Sequence, residues 1–275
     1  MKIAHKMKRC IPLVFLIFLL SCNLDINKDL QIDQSFEGEE AYWVSKILDE
    51  HIYLSFYDFA VYSNTEFTDS LPGCPTISID NEQYSVTIDY DNPSCEDGST
   101  DRQGKLQFQY SSVNNNVNTT IKITYDGYQT SSNTIEGYRL FQVTNKTTSE
   151  LVLQESSDSL LLKDENESST SLALNLEHAG KIQNNVLTEI KSSGALTGRN
   201  WGGNQIEAVI LKPKVISQTC LTQVDFYTVS GEENWTIKRS ENSQVTHQLT
   251  YSNTEGCETT TTIKLDEGVT MVKQP

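Results

Sequence analysis

The sequence predicts a mostly β protein with antiparallel sheets in a meander or sandwich-like arrangement and one helix near the N-terminus. Three observations support this fold class. After residue 72, apolar and polar residues alternate with a period of two in segment after segment. Glycine-containing turn signals separate these segments. The one stretch with helical spacing of apolar residues comes before them, over residues 37–62.

The N-terminus is typical of a bacterial lipoprotein signal. A basic leader precedes ten mostly apolar residues, which is half of the roughly 20 needed to span a bilayer. The motif Leu19-Leu20-Ser21-Cys22 follows and looks like a lipobox. We therefore predict that residues 1–21 are removed and that fatty acyl chains such as palmitate anchor Cys22 in a lipid bilayer, at the outer membrane or cell surface. An uncleaved N-terminal anchor is the alternative.

The charge of the chain argues against nucleic-acid partners. The formal net charge is −16, and it becomes −20 once the four cations of the leader are removed. Such a chain repels phosphate backbones. The acidity fits a soluble surface, with a cation-binding surface as the alternative. Nothing in the sequence indicates a cofactor.

We divide the mature chain into three segments. Residues 22–36 are polar and predict a flexible tether. Residues 37–71 predict the helix and a connection, with His51 as a packed residue near the apolar stripe. Residues 72–275 predict the antiparallel β domain, which could contain two β units at 72–145 and 215–275.

Five alternating runs carry the strand prediction, and their residues are 84–90, 106–110, 121–125, 172–176 and 245–251. Each run gives one apolar and one polar face, which is typical of a sheet buried on one side. His247 falls on the apolar side of the last run and is predicted to be a core histidine. A consecutive meander is the default strand order.

Four cysteines remain beside Cys22 in the mature chain, and an oxidising compartment favours disulfides. We favour Cys74–Cys95 and Cys220–Cys257 because each pair brackets one local run of strands. A zinc site and reduced, buried thiols are the alternatives.

Residues 72–265 resemble a group of exported lipoproteins from Bacteroidota. The resemblance rests on short motifs in the segments 87–110 and 121–145, and on the later segment bounded by Cys220 and Cys257. These motifs are Cys95, Asp97-Gly98, Arg102, Gly104-Lys105, Glu136-Gly137 and Trp201-Gly202. The resemblance implies an exported β-rich lipoprotein and carries no activity.

Two further features resemble signals used in that phylum. Asp25 and Asp29, shortly after Cys22, are similar to acidic signals that send lipoproteins to the outer face of the membrane. Ser70 and Ser159 lie in Asp-Ser-Leu sequences that resemble glycosylation sequons. The alternative for both serines is a turn residue that enters a strand.

Candidate ligand sites are sparse. Oxygen-bearing side chains cluster around one turn and suggest calcium, with a solvated turn as the alternative; they are Asp89, Asp91, Asn92, Asp97 and Asp101. Trp201 and Trp235 are candidates for stacking on a sugar, or else cap an edge of the core.

The sequence lacks the Gly-x-Ser-x-Gly, His-Glu-x-x-His and phosphate-loop motifs. We therefore predict a non-enzymatic surface lipoprotein with a structural or interaction role and an unidentified glycan or surface-protein partner. The first alternative is a glycan- or ligand-binding β module. The second is a secreted hydrolase, which requires two carboxylates, or His178 beside a Ser or Asp, in one deep pocket.

Overall fold

The computed structural model describes residues 34–93, 102–111, 119–130, 133–220, 228–253 and 257–274. Its helices are α1 (Gln34–Glu50), α2 (Ile52–Ser55) and α3 (Thr65–Thr68), with 3-10 turns at Phe59–Ser63 and Gln218–Cys220. None of the helices in this part of the chain is long and apolar enough to cross a bilayer.

The strands in chain order are β1 (Thr76–Asp80), β2 (Ser85–Asp89), β3 (Arg102–Tyr110), β4 (Thr120–Thr130), β5 (Asn133–Glu136), β6 (Tyr138–Lys146), β7 (Glu150–Lys163), β8 (Ser169–Gln183), β9 (Val186–Arg199), β10 (Gln205–Ser217), β11 (Thr228–Ser240), β12 (Ser243–Asn253), β13 (Thr259–Lys264) and β14 (Thr270–Lys273). In the described residues they form a single antiparallel sheet of 14 strands in chain order, except that β5 and β6 share the place between β4 and β7. The predicted fold class and the meander are confirmed.

Gly137 explains why one strand position is divided in two. It separates β5 from β6 and has a φ of +100°, a conformation that residues with a Cβ rarely adopt. A Cβ there would lie 2.3 Å from the carbonyl oxygen of Ser159. The chain therefore bends at Gly137 against an irregularity in β7, where the register shifts between Ser157 and Leu160.

The period-two pattern sets the core. Inward side chains of the predicted runs are buried, as Ile88, Phe108, Ile123 and Leu172 illustrate. His247 is also buried, as predicted. These side chains and the apolar residues of α1 form one hydrophobic cluster, and a fully buried side chain of this kind contributes about 1.5–3 kcal/mol.

The sheet curves around α1, so the helix is buried on most of its circumference. Its side chains contact the sheet from β3, through the Glu50–Arg102 ion pair, to β14, through the Glu39–Lys273 ion pair. The approach is close at Gly38, where a Cβ would lie 2.6 Å from Leu265 Cδ2. The helix thus lies against the inner face of the sheet and carries charges into that contact.

The helix boundaries differ from the prediction. The described part of α1 includes Gln34–Phe36, inside the predicted tether, where Phe36 packs on Trp201 and the Gln34 side chain accepts a hydrogen bond from Glu267 N. The long helix ends at Glu50 rather than at residue 62, and His51 separates it from α2.

Cys220 and Cys257 form the predicted disulfide. Cys74 is also disulfide-bonded, and its predicted partner Cys95 lies outside the described residues. Cys22 lies outside them too. The segments 72–145 and 215–275 belong to one continuous sheet, and their duplication stays a prediction.

Candidate functional site

Charged and polar side chains interrupt the inner face of the sheet opposite α1. The first group, here called the arginine cluster, consists of Arg139, Glu155, His178 and Ser192 on β6 to β9. Arg139 donates hydrogen bonds to both carboxylate oxygens of Glu155, at 2.5 and 2.8 Å, and to the Leu48 carbonyl oxygen of α1 at 2.7 Å. Glu155 and His178 are 0 % exposed. Although burial raises the pKa of Glu155, the charge of Arg139 outweighs it and lowers that pKa to about 2.

The ionised Glu155 fixes the tautomer of His178. A carboxylate only accepts hydrogen bonds, so Nε2 of His178 donates to Glu155 Oε2 over 2.9 Å. When the ring is neutral, Nδ1 accepts from the Ser192 hydroxyl at 2.8 Å. This hydroxyl–imidazole–carboxylate chain has the connectivity of a serine-hydrolase triad, with the two ring nitrogens in exchanged roles.

The space around these three hydrogen-bonded side chains is too small for a substrate. Ser192 and His178 line a cavity of about 20 Å³, which is the space of a single water molecule. In addition, the negative charge of Glu155 is already neutralised by Arg139. The structure thus places His178 beside a serine, as the hydrolase alternative requires, but both are buried beside a very small cavity rather than in a deep pocket.

The second group, here called the lysine cluster, centres on Lys214 of β10. Its ammonium contacts Ser45 Oγ at 2.6 Å, Asp49 Oδ1 at 2.7 Å and Glu233 Oε1 at 3.1 Å. Three more residues donate to these carboxylates: Thr228, Trp235 and Tyr251. Two carboxylates therefore share one buried ammonium, and Ser45 and Asp49 come from α1.

With two carboxylates and one ammonium in the lysine cluster, the pKa of Asp49 shifts in the opposite direction to that of Glu155. Burial raises the pKa of Asp49, and the charge of Glu233 adds to that effect while Lys214 opposes it. The pKa of Lys214 is raised, because its acidic neighbours outweigh the burial that lowers it. The cluster fastens the middle of α1 to β10 and β11.

Two further carboxylates of α1, Glu50 and Glu40, contact the sheet near the two ends of the helix. Near its C-terminal end, the charge of Arg102 outweighs burial and lowers the pKa of Glu50 to about 2. Near its start, Glu40 accepts from the Thr170 hydroxyl at 2.5 Å and the Trp201 backbone N–H at 2.8 Å. It has no cationic partner among the described residues, and burial raises its pKa to about 7.

The outer face of the sheet carries a different kind of site. An open trough of about 830 Å³ crosses β7 to β12. One row of neighbouring residues along it is Leu161, Ser171, Arg199, Gln205, Lys238 and Gln244. The adjacent row is Ala173, Thr197, Glu207, Thr236 and Thr246. Most of these side chains are exposed, so the trough is accessible from solvent.

The two tryptophans predicted to stack on a ligand do not lie together. Trp235 is 2 % exposed and donates from its indole N–H to Glu233, so its ring belongs to the inner core. Trp201 is half-buried in the β9–β10 loop and packs on Phe36, with ring centroids 5.4 Å apart. Trp201 therefore caps the start of α1, which is the alternative considered from the sequence.

The predicted calcium ligands are described in part. Asp89 pairs with Lys105 at 2.9 Å, and Asp91 accepts from the Gly104 N–H at 2.7 Å. Asp97 and Asp101 lie outside the described residues. Within the described ranges, no group of three or more His, Cys, Asp or Glu could hold a metal ion.

Both candidate glycosylation serines are exposed. The Ser70 hydroxyl donates to the Phe67 carbonyl oxygen at 2.6 Å, as a turn residue does. Ser159 lines the outer trough beside the irregularity in β7. Their modification stays a prediction.

Sequence reasoning missed both ionic clusters and the trough. A signal for the clusters exists, because each places a charge on the apolar face of an alternating strand. In β7, Glu155 continues the inward series of Leu151 and Leu153. In β11, Glu233 precedes the inward Trp235 and Ile237.

Comparison of the chain with protein-family models, with curated proteins and with solved structures finds no match.

Proposed function

We propose that this chain is an exported, lipid-anchored surface protein that acts by binding rather than by catalysis. The observation that carries the proposal is the contrast between its two candidate sites. The residues that resemble a catalytic triad border a cavity of about 20 Å³, whereas the trough of about 830 Å³ opens to solvent. An open cleft lined by apolar surface and by polar side chains suits recognition of a ligand.

The anchoring part of the proposal rests on the lipobox motif that ends at Cys22. Cells that express the full chain and are fed an alkyne analogue of palmitate should yield labelled protein. Cys22→Ala should remove the label, and loss of residues 1–21 should be visible in the mass of the native protein. Label that persists in Cys22→Ala would contradict the predicted anchor.

The binding part is tested by a screen of the full-length protein against glycans and surface proteins. Thr197→Tyr fills the middle of the trough, and Thr124→Tyr is the matched change on the outer face of β4. We expect a ligand whose binding is abolished by Thr197→Tyr and unaffected by Thr124→Tyr. If the ligand binds both variants like the wild type, the trough is not its binding site.

A secreted hydrolase is the second candidate, because Ser192 and Glu155 flank His178 at hydrogen-bond distance. A fluorophosphonate probe separates the two candidates. A binding protein leaves Ser192 unlabelled, since its hydroxyl is buried. Labelling that is lost in Ser192→Ala would establish the hydrolase instead.

A further inference from the structure

The trough has an uneven distribution of charge between its two rows. In the first row, Arg199, Gln205 and Lys238 are direct neighbours across β9, β10 and β11. Since adjacent strands lie about 4.7–4.9 Å apart, the backbones that carry the two cations are about 10 Å apart. The lining also holds two carboxylates, Asp158 and Glu207, but neither lies in the row of Arg199 and Lys238.

Both cations are available to a ligand. Among the described residues, neither Arg199 nor Lys238 forms an ion pair, and Arg199 donates one bond, from NH1 to the Gly203 carbonyl oxygen at 2.9 Å. Free guanidinium and ammonium groups are the usual partners of carboxylates in recognition sites.

The second row offers hydroxyl and carboxylate groups instead of cations. Thr197, Glu207 and Thr236 are neighbours across the same three strands. Such groups donate to and accept from hydroxyls. Beside them, the side chains of Leu161 and Ala173 give an apolar area, against which the C–H face of a sugar can rest.

We infer that the trough binds an extended acidic glycan, with its carboxylates on the row of Arg199 and Lys238 and its hydroxyls on the row of Thr197, Glu207 and Thr236. The inference rests on the proposed function, since it assumes that the trough is the binding site. A glycan fits better than an acidic peptide, because no described aromatic side chain lines the trough as an anchor for a protein partner, while hydroxyl and amide side chains recur along it.

The test uses ligands that differ only in charge. Oligogalacturonate and its neutral methyl ester are titrated into the full-length protein, alongside two other acidic oligosaccharides, oligomannuronate and hyaluronan fragments, and a poly-glutamate peptide. We expect at least one acidic glycan to bind, the methyl ester to bind far more weakly, and affinity to fall with added salt.

Two pairs of variants locate the contact. Gln205→Glu places a carboxylate between the two cations and should lower the affinity for the acidic glycan about tenfold. Gln107→Glu on the outer face of β3 is its control. Lys238→Gln should weaken binding about threefold to fivefold, with the exposed Lys264→Gln on β13 as its control. Both control variants should bind like the wild type.

The possible outcomes distinguish failure of the acidic-glycan inference from failure of the proposal that the trough is a binding site. Equal binding of the methyl ester, or of poly-glutamate, with loss in Thr197→Tyr would overturn the acidic glycan and leave the trough as a binding site. If none of the acidic glycans binds, the inference is also overturned. If, in addition, Thr197→Tyr affects no ligand found in the wider screen, the trough itself is not a site.

Discussion

The arginine and lysine clusters lie in similar surroundings, yet the pKa of Glu155 in the first and the pKa of Asp49 in the second shift in opposite directions. Both clusters lie between α1 and the sheet, and both are buried. In the arginine cluster one carboxylate faces one guanidinium, and the pKa of Glu155 falls to about 2 despite its burial. In the lysine cluster two carboxylates share one ammonium, and burial raises the pKa of Asp49. The balance of charge, rather than burial alone, decides the direction.

The clusters also differ in what they join. Arg139 and Glu155 hold neighbouring strands together and touch the helix through one carbonyl group. Lys214 reaches two side chains of α1, so the lysine cluster fixes the middle of the helix in its register on the sheet. Buried ion pairs are seldom more stable than apolar packing of equal volume. Fixing the position of the helix is therefore a better account of this cluster than added stability.

The largest effect is expected from Arg139→Met, which leaves the ionised Glu155 buried without its partner. We expect the free energy of unfolding at pH 7 to fall by about 3–5 kcal/mol. The double variant Arg139→Met/Glu155→Gln should recover most of that loss, because no uncompensated charge remains. Urea unfolding measures both. A double variant as unstable as the single one would show that packing, not charge, is responsible.

The sharpest comparison sets Glu155→Gln against Asp49→Asn, each of which neutralises one buried carboxylate. Glu155→Gln should cost about 2–4 kcal/mol, because it strands the charge of Arg139. Asp49→Asn removes the excess negative charge of the lysine cluster and should change stability by less than about 1 kcal/mol. The same urea titrations at pH 7.5 measure both, and equal losses would remove the distinction between the clusters.

A smaller effect is expected at Glu40, a buried acid without a cation among the described residues. Its pKa of about 7 in the folded state exceeds the ordinary value of 4.5, so its contribution to stability falls as the pH rises from 4.5 to 7. Glu40→Gln keeps an acceptor for Thr170 and Trp201 and should stabilise the protein by about 1–2 kcal/mol at pH 8. At pH 4 the gain should vanish; thermal unfolding at both pH values checks this, and a gain independent of pH would refute it.

The sequence predicts the sheet better than the site, for physical reasons. Alternation in the runs 84–90 and 245–251 is local, and a strand with one buried face requires it. The helix start is less local, since Phe36 becomes helical through its contact with Trp201, which is 165 positions away. The lysine cluster is more distant still, because Ser45 and Glu233 meet across 188 positions.

The trough could not be predicted from local sequence patterns either, because it also brings together residues that are distant in the sequence. Arg199 and Gln205 flank one loop, and their proximity follows from that turn. Lys238 joins them only through the register of β10 with β11, which the alternation does not determine. Charges on an apolar face, such as Glu155, are the one signal in the sequence that marks the buried clusters before the partners are known.

The central claim is that α1 covers the inner face of the sheet around His178 and Ser192, while the outer face meets solvent. Ser192 and Thr197 test it directly, since both lie on β9 and point to opposite faces. Ser192→Cys and Thr197→Cys are treated separately with a maleimide without denaturant. We expect immediate labelling at position 197 and no labelling at position 192 until urea unfolds the protein. Comparable labelling of both cysteines in native buffer would contradict the account, because α1 would then leave the sheet and expose the residues around His178.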